Sequence, residues 1–274
     1  MAHPFFEPTP LILGHRGAAA HAPENTLLSF ERAIELGAGV IESDVQVSRD
    51  GVPVLMHDAA VDRVTNGAGV VESMSLAELQ ALDAGHHFSI GDRGELDAGA
   101  DGRFRGRGLR VPSLEEAFQE FPGVRFNLEI KTSAPGLLER VIELVSKYRR
   151  EVDTLLTAAD DAIMKAIRDL LERHRLAAAT SASVSEVAAV ARAAADGRDP
   201  PPNIMALQIP MHFAGRPLVT PALVAHAKAH DIQLHVWTIN DRDEMTALLD
   251  LGVDGLVTDF PDRAAQAIAR RRGS

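Results

Sequence analysis

His15 and Arg16 stand side by side in Gly14-His15-Arg16-Gly17, at the end of a short apolar run. Glu42 and Asp44 lie two residues apart in a second β-rich run, and an i, i+2 pair on a strand shares one face. Glu129 and Lys131 repeat that spacing, His57-Asp58 closes a further short run, another run carries Trp237, and a last one runs into Asp259. Three carboxylates brought together would repel one another strongly without a cation among them. Oxygen donors in a chain with no Cys suit one hard divalent cation, Mg2+ or Ca2+, rather than Zn2+. Arg16 and Lys131 supply positive charge of the kind that holds a phosphate, Arg by gripping two oxygens and Lys as a point charge. Splitting a phosphodiester needs a base for the nucleophile and an acid for the leaving oxygen, and imidazole titrates close to working pH.

Each of these residues also has a blander role open to it. A lone His at a strand end is more often packed or surface-exposed than catalytic, and His3, His21, His174, His212, His226, His230 and His235 are read that way. Glu42 or Asp44 alone could be a solvated strand-edge charge, Lys131 could simply pair with Glu129, and Trp237 alone reads as core. Asn240, just before a helical pattern, reads as a cap. What argues against coincidence is that all the chemistry falls at strand ends on one rim.

The elements that must position these residues alternate along the chain. Strands are expected at Leu11–Gly14, Val40–Val47, Phe126–Lys131, Thr154–Thr157, Leu176–Thr180, Ile204–Ile209, Gln233–Ile239 and Gly255–Thr258. Helical periodicity follows at Thr26–Leu36, Leu137–Tyr148, Ala162–His174 and Asp241–Leu251, with Leu27, Phe30 and Ile34 on one face of the first. Eight strand-then-helix units predict an α/β fold, a single (β/α)8 TIM barrel domain over 1–274, with its reactive groups at the C-terminal strand ends. One region breaks the rhythm, with a short strand at Val52–His57, a small helix at Ser75–Leu82, and a Gly-rich stretch from His86 to Gly108. This small inserted region after strand two, about 59–110, is expected to be a functional excursion over the barrel mouth rather than a separate core.

Composition sets the outer bounds. Apolar residues at 46% and charged residues at 24% exclude disordered and fibrous classes. The net charge of −11 argues against nucleic acid as a partner. Arg270, Arg271 and Arg272 read as a basic last helical turn favoured by the helix dipole. No signal peptide or membrane span is expected, so stable membrane association is not, and a cytoplasmic location suits the absence of Cys.

The combination resembles a known family. Gly14-His15-Arg16-Gly17, Pro23-Glu24-Asn25-Thr26 and Ile41-Glu42-Ser43-Asp44-Val45 are similar to the opening of glycerophosphodiester phosphodiesterases. Arg49-Asp50-Gly51-Val52-Pro53-Val54, His57-Asp58, Asp62-Arg63-Val64-Thr65-Asn66-Gly67 and Val111-Pro112-Ser113-Leu114-Glu115-Glu116 continue the resemblance. So do Leu128-Glu129-Ile130-Lys131, Val236-Trp237-Thr238-Ile239-Asn240 and Gly255-Leu256-Val257-Thr258-Asp259-Phe260-Pro261-Asp262.

The resemblance implies hydrolysis of a small glycerophosphodiester to glycerol 3-phosphate and an alcohol. It implies Glu42, Asp44 and Glu129 as metal ligands, His15 and His57 as general acid and base, Arg16 and Lys131 as phosphate contacts, and Trp237 as pocket lining. It admits a route in which a glycerol hydroxyl attacks phosphorus first and water opens the cyclic phosphate. Ser43 replaces a common Leu, His87 a common aromatic, and Thr157-Ala158 stands where relatives often have Ser-Phe, a change that bears on the head-group pocket. Two other readings remain open: a lipid-directed phosphodiesterase of the lysophospholipase D type, and a non-catalytic phosphate-binding barrel. The inserted region carries only Phe88 and Phe104 as aromatics, which favours a small soluble substrate.

Overall fold

The structure is a computed structural model that describes residues 3–88 and 102–272. Its strands are β1 (Leu11–Gly14), β2 (Val40–Val47), β3 (Pro53–Leu55), β4 (Arg125–Ile130), β5 (Thr154–Thr157), β6 (Ala179–Thr180), β7 (Ala206–Pro210), β8 (His212–Phe213), β9 (Arg216–Pro217), β10 (Gln233–Trp237) and β11 (Gly255–Thr258). Eight of them are parallel neighbours in the order β6-β5-β4-β2-β1-β11-β10-β7. The seam between β6 and β7 is bridged by Ala182 N–H, which donates to Ala206 O at 2.8 Å. The result is a nearly closed (β/α)8 barrel, as the strand–helix alternation predicts.

The helices are α1 (Leu27–Glu35), α2 (Leu76–Gln80), α3 (Leu114–Glu120), α4 (Leu137–Lys147), α5 (Asp161–His174), α6 (Val184–Asp196), α7 (Pro221–Ala229), α8 (Arg242–Leu251) and α9 (Pro261–Arg272). Their starts are written in the sequence as side-chain caps. Thr26 accepts from Ser29 N, while Ser113 and Ser183 form capping boxes with Glu116 and Glu186. The cap of α8 is Asp241, which accepts from the amides of Asp243 and Glu244, so Asn240 is not a cap. Buried faces of the helices pack on outward strand residues such as Ile41, Val45, Leu128 and Leu156 in one continuous core.

The inward faces tell a different story along their length. Alternation puts Leu13 and His15, Val40 with Glu42 and Asp44, Leu155 and Thr157, and Val257 and Asp259 on common faces. In each case the residue nearer the strand start is apolar and the one nearer its end is polar. The apolar level is closed from below by the N-terminal 3-10 turn Pro4–Phe6, whose Phe5 and Phe6 join Leu11, Leu13, Val40, Leu155 and Val257 in a separate cluster. The polar level is left for the mouth.

One expectation is corrected, and two features add to what the sequence suggests. Strand β6 is two residues rather than the five from Leu176, because the backbone pairs with β5 only at Ala179 and Thr180. An antiparallel hairpin, β8 with β9, follows β7 with Ala214 and Gly215 at its turn, both at positive φ; apolar periodicity gave no sign of it. The inserted region also builds an apolar cluster of its own: Val61, Val71, Leu79 and Ala84 close on Val54, Met56 and Val111. Strand β3 runs antiparallel to β2 and carries the chain into this region. Gly91, Gly94 and Gly99 of the Gly-rich stretch lie outside the described residues.

Candidate active site

The loop after β1 begins the site. His15 N–H donates to Thr258 O of β11 at 2.9 Å, and Gly17 N–H turns back onto Gly14 O at 3.1 Å. Arg16 sits at φ +50, a left-handed conformation that costs an L-residue roughly 1–2 kcal/mol. The turn is held against α1 by Ser29, whose Oγ accepts from Ala18 N at 2.9 Å and donates to Arg16 O at 3.0 Å. A Cβ at Gly17, itself at φ +90, would lie 2.3 Å from that Oγ, so only Gly fits there.

Strand register then gathers the carboxylates. Asp44 is the parallel partner of Glu129 across β2 and β4, and Glu42 lies two residues before Asp44 on the same face. One carboxylate oxygen from each of Glu42, Asp44 and Glu129 lies within 4.8 Å of the others. Glu42 and Asp44 are buried; Glu129 is half-buried. Lys131 Nζ approaches Asp44 at 3.2 Å and Glu129 at 3.1 Å, so it serves both carboxylates and not Glu129 alone.

Charge compensation is uneven. Burial and then the charge of Asp44 push the Glu42 carboxyl up to about 7, although Arg16 N–H donates to it at 2.9 Å. Asp44 is instead held below the ordinary carboxylate value: burial opposes this, but Arg16, Lys131, His57 and a 3.0 Å bond from Asn25 Nδ2 outweigh it. Ser43, on the opposite face of β2, donates to Asn25 Oδ1 at 2.6 Å and so fixes which end of that amide faces Asp44. The donor set is three carboxylates with residual negative charge, which fits a hard divalent cation. Glu42, Asp44 and Glu129 could hold it.

Both histidines are backed by acids. His15 Nδ1 donates to Asp259 Oδ1 at 2.7 Å, and His57 Nδ1 donates to Asp58 Oδ1 at 2.5 Å. A carboxylate only accepts, so each Nδ1 carries its hydrogen and Nε2 is the nitrogen left to take a proton in the neutral ring or give one in the imidazolium. Burial would lower the pKa of His15, but Asp259 and then Glu42 outweigh it and raise it. Asn240 locks Asp259 in place: its Nδ2 donates to Asp259 Oδ2 at 2.6 Å, and its Oδ1 accepts from Asp259 N at 3.0 Å. Trp237 stands at the end of β10, 44% exposed.

Of the eight residues singled out in the sequence, His15, Arg16, Glu129, Lys131 and Trp237 sit at or just beyond the C-terminal ends of β1, β4 and β10, Glu42 and Asp44 lie within β2, and His57 follows β3. Sequence reasoning gave no role to Glu24, Asn25, Asp58, Arg63 or Asn240 as partners of those residues. His57-Asp58 carried a local signal, an acid adjacent to an imidazole. The others share no local pattern with their partners, and only the fold brings them together.

Comparisons with known proteins point to one family and one fold. A model of the "Glycerophosphoryl diester phosphodiesterase family" matches residues 15–263. A glycerophosphodiester phosphodiesterase of Caldanaerobacter subterraneus is 31% identical over 263 residues, covering 92% of this chain and 95% of that one. Among solved structures, a phosphodiesterase of Oleispira antarctica in complex with the product sn-glycerol-3-phosphate is 26% identical with a TM-score of 0.75, covering 95% of this chain and 97% of that one. The glycerophosphoryl diester phosphodiesterase domain of a Mycobacterium tuberculosis protein has the same fold, with a TM-score of 0.79 at 21% identity over 96% of this chain and 99% of that one.

Proposed function

The chain belongs to the glycerophosphoryl diester phosphodiesterase family and is an enzyme that hydrolyses glycerophosphodiesters, and from that premise we propose a metal-dependent mechanism with two histidines as acid and base. The products are glycerol 3-phosphate and an alcohol. The observation that carries this reading is the convergence of Glu42, Asp44 and Glu129 within 4.8 Å beside Arg16 and Lys131 at the barrel mouth.

Glu42, Asp44 and Glu129 would hold one divalent cation, Mg2+ or Ca2+, which when bound would supply positive charge for the phosphate oxygens. Arg16 and Lys131 grip the same phosphate. Both are fully protonated here: burial works against it, but neighbouring carboxylates raise both groups above their ordinary values. His15 and His57 share proton transfer through Nε2: the neutral ring accepts the nucleophile's proton on its lone pair, and the other, as imidazolium, gives its Nε2 hydrogen to the leaving oxygen, which departs as the alcohol. Their carboxylate partners fix the tautomer and ring orientation, as in other histidine-based hydrolases. Trp237, exposed at the rim beside β7, lines the pocket for the alcohol.

No helix among the described residues is long and apolar enough to cross a membrane. A small glycerophosphodiester is the proposed substrate, and the inserted region is proposed to be part of the one barrel domain. The test is release of glycerol 3-phosphate from the ethanolamine, choline, glycerol and inositol diesters, and from a lysophospholipid, with Mg2+, with Ca2+ and with chelator. Metal-dependent release from the small diesters is expected. Release only from the lysophospholipid would move the assignment to a lipid-directed enzyme, and no release by folded protein would sink the mechanism.

A further inference from the structure

The motif Asp62-Arg63-Val64-Thr65-Asn66-Gly67 has no part in the chemistry described so far, yet its arginine reaches into the site. Arg63 Nε donates to Asp58 Oδ2 at 2.5 Å. Its two terminal nitrogens donate to the two oxygens of Glu24, Nη1 to Oε2 at 2.8 Å and Nη2 to Oε1 at 2.7 Å. All three guanidinium nitrogens are thus used, in a fork that only Arg can make.

What lies beyond each carboxylate gives the contact its meaning. Asp58 accepts the Nδ1 hydrogen of His57 on its other oxygen. Glu24 accepts Arg16 Nη1 at 2.9 Å, and Arg16 Nε lies 3.4 Å from Asp44 Oδ2. A chain of hydrogen bonds therefore runs from His57 through Asp58, Arg63 and Glu24 to Arg16, and an ion pair carries it on to Asp44.

We propose that Arg63 is a positioning residue for the reaction, one guanidinium that sets the orientation of His57 through Asp58 and of Arg16 through Glu24. The proposal rests on the roles given above to His57 and Arg16. It assigns to the inserted region a definite part in catalysis: it carries the brace that ties proton transfer to phosphate binding.

A simpler role would be to staple the inserted region to the barrel. That region has other ties, among them Thr132 Oγ1 donating to Glu72 at 2.9 Å and Arg49 Nη1 donating to Ser73 O at 2.7 Å, besides its own apolar cluster. Glu24 is nearly solvent-free, with 3% of its side chain exposed, and is paired on both oxygens. A carboxylate so enclosed keeps its charge only while its cations stay in place. Removing Arg63 would leave Arg16 the lone counter-charge to Glu24 while it also shares Asp44 with Lys131, and leave Asp58 free to turn away from His57.

The experiment compares Arg63→Ala and Arg63→Lys with the parent in kcat, KM and thermal midpoint, each with and without added guanidinium, alongside His57→Ala. Arg63→Ala is expected to lose about 10- to 100-fold in kcat, the range seen when a partner behind a functional group is removed, with a raised KM. Arg63 is 40% exposed, so free guanidinium can enter the vacated position and should restore part of the loss. Arg63→Lys, which keeps the charge and can serve one carboxylate at a time, should fold normally and stay well below the parent. Parent-like kinetics in either variant, or a loss that tracks the thermal midpoint and ignores guanidinium, would overturn the brace. If His57→Ala itself turned over like the parent, the failure would lie in the functional reading instead.

Discussion

At the scale of single residues, the pair His15–Asp259 makes the sharpest demand. Asp259 is gripped by the side chain of Asn240, so its oxygen has little freedom to do anything but accept the His15 Nδ1 hydrogen. Asp259→Asn keeps the shape but can offer an N–H to Nδ1, which moves the hydrogen to Nε2 and removes the lone pair facing the substrate. Turnover should fall by roughly 100-fold or more, by analogy with the same change in serine proteases, while the unfolding midpoint stays within a few degrees. An unchanged kcat would mean that His15 does not transfer a proton. The carboxylates answer to a different measurement. Glu129→Gln, at the least buried of the three, should raise the metal concentration for half-maximal turnover by more than about 10-fold, whereas an unchanged titration would place the cation elsewhere. The eight residues singled out by type and spacing were legible because strand alternation is strict. Their partners were not: His15 and Asp259 are 244 residues apart and meet only because β1 pairs with β11.

At the scale of elements, the sequence patterns locate the strands well where both faces are constrained. Strands β1, β2, β5 and β11 begin and end where apolar and turn residues say they should. They mislead at β6 and miss the β8–β9 hairpin, since a two-residue strand has no periodicity to read. His235 on β10 illustrates how an element hides a consequence. It was legible only as a structural histidine, and it is fully buried inside the barrel, where burial pushes it down to about 4. Its neighbours include the Gln208 amide at 3.4 Å and the tilted ring of Phe6. The unfolded chain protonates this group near its ordinary value of 6.5, while the folded chain resists until about 4. Stability contributed by the neutral ring is therefore complete above pH 6.5 and is lost as pH falls from there to 4. The difference between pH 7 and pH 4.5 amounts to about 2 to 3 kcal/mol. His235→Asn should remove that share, so denaturant unfolding at the two pH values should show a smaller gap than in the parent. An equal gap would mean that water reaches the ring and shares its proton.

At the scale of the whole molecule, the barrel separates what holds it together from what it does. The mouth collects buried charge, a left-handed Arg16 and enclosed carboxylates, all of which cost stability. The opposite end recovers some of it through the N-terminal turn. Phe5 and Phe6 are 0% and 2% exposed, and Arg125 at the start of β4 clamps the turn by donating from Nη1 to Phe5 O at 2.8 Å and Glu7 O at 2.6 Å. The sequence shows two Phe among prolines but not that they close the barrel, because nothing local records which cavity they fill. Phe5→Ala should cost about 3 to 5 kcal/mol, the usual penalty for emptying a buried aromatic site. That is a large part of the roughly 5–15 kcal/mol that holds a typical domain. The strands that carry the site are braced independently by the helix layer, so kcat at saturating metal and substrate should stay within about 2-fold below the unfolding transition. Denaturant unfolding and turnover of the same preparation separate the two effects. If turnover fell while the protein remained folded, the lower level of the barrel would have to be counted as part of the machinery that shapes the mouth.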